Sequence, residues 1–272
     1  MTNTKCLVTH ETLPWSECLD CAAHGKKPCT YNYALLRSIE RQQQHERVGI
    51  HVSDVIHCLR KAYYTATEPA VPTYPHQSLV MLVGTVTHTL MEGDPDDPNI
   101  RSEIDLAWDY DGVTVIGRAD AYYPHTRTLS DTKTKRGMYL KYLPEGEHTI
   151  QVKVYANILQ HMGYPVEHGE IQYLDVTGPS KCLECKAELV PSANARSLTC
   201  PKCGQLYDVS KNHLGTVRIG VDVSRADQLD TWISERAHHL HDAILSHTPT
   251  NAEPGWLCKY CPFVNICPEA RP

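Results

Sequence analysis

The chain has 272 residues, a formal net charge of −6, and 12 Cys, 16 His and 15 Tyr beside a single Phe. At roughly 150 residues per domain this length predicts just under two domains, with enough chain to bury a sizeable core. The acidic balance excludes a generally basic nucleic-acid coat, so any nucleic-acid contact must come from a local patch. No run approaches the roughly 18 apolar residues of a membrane span. Residues 1–20 carry Lys5, His10, Glu11, Pro14, Glu17 and Asp20 and show no apolar export signal. Thiols in C-x-x-C pairs, in a chain without such a signal, predict thiolates bound to metal in a reducing cytoplasm rather than a disulfide framework.

In chain order, residues 1–49 predict a cysteine-rich arm too polar to be core, then a short helix and a connector. From Ser53 the pattern turns helical, with Val55, Cys58, Leu59, Ala62 and Tyr63 on one face and Ser53 as N-cap. A proline-rich loop at 67–77 precedes a second helix through Leu79, Leu82, Val83, Val86 and Leu90, ended by Gly93 and Pro95. Strand-like runs at 103–109, 113–123 and 127–133, separated by turns at Asp111-Gly112 and Pro124-His125, predict an antiparallel meander. A helix over 147–162, a strand over 169–176, an insertion over 178–208 and a strand over 215–223 follow. Ser224-Arg-Ala-Asp227 has the form of a capping box opening a helix to about residue 247. This order predicts a mixed α/β (α+β) fold with small metal modules, and no Gly-rich phosphate loop argues for a dinucleotide fold. The expected divisions are an arm and connector at 1–49, a core in two parts at 50–177 and 209–272, and a ribbon insertion at 178–208.

The cysteines fall into three sets. Cys182-x2-Cys185-x14-Cys200-x2-Cys203 is the pattern of a zinc ribbon, a closed tetrahedral site with no open position for catalysis. Cys6-x11-Cys18-x2-Cys21-x7-Cys29 matches no standard module, yet four Cys in 24 residues predict a second zinc knuckle, in which His10 or His24 can replace a thiolate. Cys258-x2-Cys261-x5-Cys267 is one ligand short, and Cys58, which alone reads as core, would complete it. Four thiolates there suit zinc or a [4Fe–4S] cluster, and spacing does not choose.

A separate polar series spans 84–155. His88 and Glu92 share a helix face at i, i+4; Asp120 and Asp131 close successive strand runs; Lys133 lies on the same strand face as Asp131; Gln151 and Tyr155 share the next helix. Two carboxylates on adjacent strands with an imidazole suit Mg²⁺ or Mn²⁺ and metal-assisted phosphodiester hydrolysis. A lysine beside the second carboxylate can orient the attacking water and stabilise the phosphoryl oxyanion. Lys133, Lys135, Arg136 and Lys141 form an acid-free basic stretch able to track a phosphate backbone, with Tyr139 or Tyr142 to stack.

The series Ser53…Cys58…Tyr63-Tyr64, Gly84…His88…Glu92, Gly117-x-x-Asp120, Asp131-x-Lys133, Gln151-x3-Tyr155 and Cys258-x2-Cys261-x5-Cys267 resembles the RecB-type branch of the PD-(D/E)XK nucleases. Within it the CRISPR-associated iron–sulfur exonuclease family is the nearest match. The resemblance covers about residues 50–177 and 214–270 and leaves out both zinc tetrads. It implies a restriction-endonuclease-like mixed sheet flanked by helices. His88, Asp120, Asp131 and the Thr132 carbonyl would hold Mg²⁺ or Mn²⁺, with Lys133 as catalytic lysine and Gln151 and Tyr155 positioning DNA or the lysine. It further implies a [4Fe–4S] cluster on Cys58, Cys258, Cys261 and Cys267, and exonuclease action on single-stranded DNA ends. A helicase or a CRISPR integration protein would be the partner class. The competing expectation is a zinc- and cluster-bearing docking module on an inactive nuclease scaffold.

Overall fold

The computed structural model describes residues 3–43, 48–68, 71–92, 96–135, 143–175, 181–182, 184–191, 197–208 and 216–269. Its contacts divide the chain into two units, one of Met1–Val86, Tyr110–Thr114 and Ser234–Pro272, the other of Thr87–Asp109 and Val115–Ile233.

The first unit starts with an antiparallel hairpin of β1 (Asn3–Lys5) and β2 (Thr12–Pro14), then α1 (Trp15–Ala23) and α2 (Tyr33–Gln43). Trp15 and Leu19 on α1 meet Leu36 and Ile39 on α2 in a buried cluster. The expectation that this arm is too polar for a core is therefore corrected. Two apolar residues per helix, at i, i+4 and i, i+3, are enough to seal a two-helix seam, and polar neighbours hide them from an average.

Next come β3 (Ile50–His51), α3 (Val52–Ile56), α4 (Leu59–Thr67) and α5 (Pro75–Met91). The single helix expected from Ser53 is two helices. The first is capped by Asp54, whose Oδ2 accepts from the His51 N–H at 2.9 Å. The chain then breaks at His57, and Cys58 becomes the N-cap residue of α4. Arg236 explains the break: its guanidinium donates to the carbonyls of Val55 and His57, both at 2.5 Å. Those acceptors satisfy the arginine instead of continuing a helical ladder. Along α5, Leu79 and Leu82 pack on the Trp15 cluster, whereas Val86 and Leu90 are exposed.

The second unit holds β4 (Arg101–Tyr110), β5 (Val113–Tyr123), β6 (Thr128–Lys135), α6 (Gly146–His161), β7 (His168–Asp175), β8 (Val190–Pro191), β9 (Ser197–Thr199), β10 (Leu206–Asp208) and β11 (Thr216–Val221). The main sheet runs β11-β7-β6-β5, with β4 also paired to β5. β6 and β7 are parallel and the other registered pairs antiparallel, so the sheet is mixed. A parallel pair needs a crossover, and α6 supplies it, packing against β6, β7 and β11. Its buried Val152, Val154, Ala156, Ile158 and Leu159 join Leu129, Ile171 and Tyr173 of the sheet. At Gly169 a Cβ would come within 2.7 Å of Val223 Cγ1 and 2.9 Å of Val152 Cγ1, so only glycine fits there. β8, β9 and β10 form a separate three-stranded antiparallel sheet.

The last helix is α7 (Asp230–Ser246), preceded by a 3₁₀ turn over Ala226–Leu229. The expected capping box at Ser224 does not form. Arg225 is the N-cap of the turn without a side-chain cap bond, and the Ser224 N–H donates to Asp222 Oδ1 at 3.0 Å. The amide of Asn157 instead donates to the Ala226 carbonyl at 3.0 Å and to Asp230 Oδ1 at 2.6 Å. A second 3₁₀ turn, Trp256–Tyr260, carries Cys258. No helix among the described residues is long and apolar enough to cross a membrane.

Candidate active site

The site grows from the end of the β5–β6 ladder. The antiparallel pairs run from Tyr123↔Thr128 to Ala121↔Ser130, and the next residue on each strand is an aspartate, Asp120 and Asp131. Two carboxylates are thus delivered side by side by strand register. The Thr132 N–H donates to Asp120 Oδ2 at 2.6 Å and fixes that carboxylate. Period-2 alternation puts Lys133 on the face of Asp131, and its Nζ donates to Oδ1 at 3.0 Å and lies 2.9 Å from Oδ2. Asp131 is 0% exposed, and its Oδ2 accepts no hydrogen bond of good geometry despite that proximity.

Burial, and then the neighbouring Asp131 charge, push the Asp120 carboxyl up to about 6, against the pull of His88 and the Thr132 N–H. Burial also raises Asp131, with Lys133 opposing. Two carboxylates held this way are costly unless a cation joins them.

His88, in the last turns of α5, brings Nδ1 to 3.4 Å from Asp120 Oδ1 and 3.6 Å from Glu103 Oε1. The ligand atoms of His88, Glu103 and Asp120 all lie within 4.8 Å of one another. Glu103 is the member of this group that sequence spacing misses. It sits near the start of β4 with φ 49, in the left-handed region that a non-glycine residue occupies only at a cost of ~1–3 kcal/mol. That kink in the pleat aims its carboxylate at the histidine, and no periodicity announces it. Glu92, the sequence partner of His88, is exposed and not part of the group.

Gln151 Nε2 donates to Tyr155 Oη at 2.8 Å across one turn of α6. Burial, with the acids Asp131, Asp120 and Glu103 adding, drives the Tyr155 phenol well above its ordinary value, so it remains protonated. Lys135, expected to touch DNA, is ion-paired with Glu145 and lies 5.8 Å from the centre of the Tyr173 ring. Arg136 and Lys141, with Tyr139 and Tyr142, lie outside the described residues.

Of the cysteine sets, the structure gathers one. The Sγ atoms of Cys182 and Cys203 are 3.5 Å apart, those of Cys185 and Cys200 3.3 Å, and all four lie within 4.8 Å. Burial raises the Cys182 thiol, but the Tyr207 hydroxyl at 3.1 Å and nearby N–H groups outweigh it and bring it down to about 6. Among the described residues no three sulfurs of Cys6, Cys18, Cys21 and Cys29 gather so closely, nor do any three of Cys58, Cys258, Cys261 and Cys267. The fold nevertheless brings the C-terminal segment that bears Cys258, Cys261 and Cys267 against α4. Tyr64 meets Phe263 with ring centres 5.5 Å apart, Arg60 Nε donates to the Thr250 carbonyl at 2.6 Å, and Arg60 Nη1 is 3.4 Å from Glu269.

With this geometry in place, a family model described as the PD-(D/E)XK nuclease superfamily matches residues 96–268. A solved structure titled "Crystal structure of SSO0001" superposes with a TM-score of 0.53 at 17% identity, covering 88% of this chain and 96% of that one. It shows likeness of fold. A phage-related exonuclease from Haemophilus somnus 129PT is more distant, with a TM-score of 0.35 at 11% identity, covering 74% of this chain and 97% of that one. Among curated proteins no relative matches.

Proposed function

Because the chain belongs to the PD-(D/E)XK nuclease superfamily, we propose that it is a Mg²⁺- or Mn²⁺-dependent exodeoxyribonuclease acting on single-stranded DNA ends. Phosphodiester hydrolysis and a divalent metal come with the family. The metal centre rests on the residues, and the observation that carries it is the His88–Glu103–Asp120 group, within 4.8 Å, on the same sheet end as the Asp131–Lys133 pair. The exonuclease action on single-stranded ends follows from the resemblance alone.

The donors fit a hard divalent cation: two carboxylates and an imidazole nitrogen, with no thiolate. Asp131 adds a buried oxygen that lacks a good hydrogen bond. His88, Glu103 and Asp120 would hold the ion, with Asp131 and the Thr132 carbonyl as the further donors the resemblance implies. A bound Mg²⁺ or Mn²⁺ supplies Lewis-acid polarisation of the phosphate and acidifies a water.

The remaining work belongs to the chain. Lys133, tethered by Asp131, presents an ammonium at a fixed place, where it draws in a phosphate and offsets charge growing on the phosphoryl oxygens. The Thr132 N–H prevents Asp120 from turning away. Gln151 donates to Tyr155 and leaves the phenolic proton for a DNA oxygen or one of the acids. In the same reading the ribbon holds a structural Zn²⁺, since its sulfur separations of 3.3 and 3.5 Å suit one tetrahedral ion. Cys58, Cys258, Cys261 and Cys267 hold a [4Fe–4S] cluster, supported by the docking of residues 250–269 on α4.

Linear end-labelled DNA, circular single-stranded DNA and duplex DNA, each incubated with Mn²⁺, test the reading. Linear single strands should be degraded from an end while circles persist, and Asp120→Ala should remove the activity. Equal cleavage by Asp120→Ala would defeat the enzyme reading, and cut circles would defeat the exonuclease.

A further inference from the structure

The N-terminal hairpin repeats the backbone of the ribbon's metal-binding turns. In the ribbon, the Cys182 N–H donates to the Ala187 carbonyl at 2.8 Å and the Lys186 N–H returns to the Cys182 carbonyl at 2.9 Å. The turn at Cys200 does the same with Gln205 and Gly204, both at 2.9 Å. In each, the fifth residue is left-handed, Lys186 at φ 62 and Gly204 at φ 73. Between β1 and β2 the Cys6 N–H donates to the Glu11 carbonyl at 2.8 Å and the His10 N–H to the Cys6 carbonyl at 3.0 Å, with His10 at φ 62. Backbone N–H groups also point at sulfur in both modules: Val8 and Thr9 at 3.4 and 3.5 Å from Cys6 Sγ, Cys203 at 3.4 Å from Cys200 Sγ. Such bonds favour the thiolate over the thiol.

One difference separates the modules. The fourth residue of each ribbon turn is a second cysteine, Cys185 or Cys203, whereas the hairpin turn has Thr9 there. The hairpin therefore contributes one sulfur. Cys18 and Cys21 come from α1, one helical turn apart, and Cys29 from the loop before α2. Ligands arriving from three segments surround a space instead of closing on a point. All four cysteines line a single cavity of about 130 Å³, whose wall also carries Lys5, Lys26, Lys27, Glu17 and Asp20. A Zn(Cys)₄ site has no such cavity, because tetrahedral Zn–S bonds of about 2.3 Å hold the sulfurs roughly 3.8 Å apart. The four ribbon sulfurs crowd within 4.8 Å of one another, and no three sulfurs of the N-terminal set do so.

We propose that Cys6, Cys18, Cys21 and Cys29 hold an iron–sulfur cluster of [4Fe–4S] size, in a site of its own beside a single-zinc ribbon. Four thiolates are the ligand set such clusters take. Lys26 is paired with Asp20, which leaves Lys27 as the cation that acts on the Cys6 and Cys18 thiols and opposes the negative charge of a thiolate-ligated cluster. The zinc expected at this tetrad from composition gives way to a larger occupant on grounds of space. The proposal is independent of the nuclease reading.

Iron and zinc are counted per chain, after anaerobic purification, in the full-length protein and two variants. The double variant Cys258→Ala/Cys261→Ala removes ligands of the other proposed cluster, and about four irons per chain should remain. Cys18→Ser should lose about four irons and keep its ribbon zinc. A double variant without iron, or a Cys18→Ser protein that loses zinc or keeps all its iron, overturns the proposal. If Cys18→Ser does not fold, the iron content of the double variant alone decides.

Discussion

The second unit contains two groups of side chains able to hold a metal, and they are built on opposite principles. The ribbon gathers four soft sulfurs on a small sheet of its own, with Sγ separations of 3.3 and 3.5 Å and hydrogen bonds from Tyr207 and backbone N–H groups to its thiols. Four thiolates would fill the coordination sphere of a tetrahedral ion, so a metal held there would serve folding. The acid cluster gathers hard donors on the main sheet, carries a carboxyl pushed up to about 6, and includes a left-handed Glu103 and an unsatisfied buried oxygen on Asp131. Backbone strain and two crowded buried carboxylates are costs that a purely structural site has no reason to carry. The contrast separates a sulfur set able to close around one ion from a set of hard donors that leaves an ion further positions to fill.

Four experiments break or sharpen that contrast. Lys133→Ala should lower the cleavage rate by about 100- to 1000-fold while DNA affinity changes little, because the ammonium acts on charge that develops during reaction. A loss of affinity as large as the loss of rate, read from single-turnover kinetics and filter binding, would make Lys133 a binding residue instead. Glu103→Gln should weaken Mn²⁺ binding by ~10- to 100-fold, measured by calorimetry. Unchanged affinity would remove Glu103 from the metal site.

Acidity gives the third. Asp120 has a raised carboxyl pKa of about 6, so it is protonated below that pH and must lose its proton before it can hold a cation. Mn²⁺ affinity should be flat above that pH and fall about tenfold per unit below it for one displaced proton. A flat profile down to the ordinary carboxylate range would contradict the burial argument. The smallest effect is expected from Cys200→Ala. It should release the ribbon zinc, seen by metal analysis, and leave the rate of DNA cleavage within about threefold, as a closed structural site should. A rate loss rivalling that of Lys133→Ala would tie the ribbon to catalysis.

Much of this was legible in the residues. β5, β6, α6 and β7 fall within a few residues of their expected limits, because alternation and helical periodicity run through them undisturbed. The Asp111-Gly112 turn has both residues at positive φ, 56 and 97, as a two-residue hairpin requires. Asp131 and Lys133 meet because strand alternation admits no other outcome. Glu103 was illegible because its role depends on one residue leaving the pleat, and Asp105 beside it, 84% exposed and paired with Arg118, looks the same in sequence. The break before Cys58 was illegible for another reason. Its cause is Arg236, about 180 residues away, which takes the carbonyls of Val55 and His57. Local periodicity through 53–63 speaks for one helix, and a distant guanidinium overrules it. Likewise the buried seam of α1 and α2 depends on four residues in a polar stretch.

If the His88, Glu103, Asp120, Asp131 and Lys133 group is a metal-dependent phosphodiesterase centre, single-turnover cleavage of end-labelled single-stranded DNA across a Mn²⁺ titration will show it, with the wild-type chain compared with Asp120→Asn. Cleavage should rise and saturate with Mn²⁺ in the wild type and be absent from Asp120→Asn, with DNA binding retained by both. Cleavage of equal rate in the two proteins, or in the wild type without any divalent ion, would contradict it.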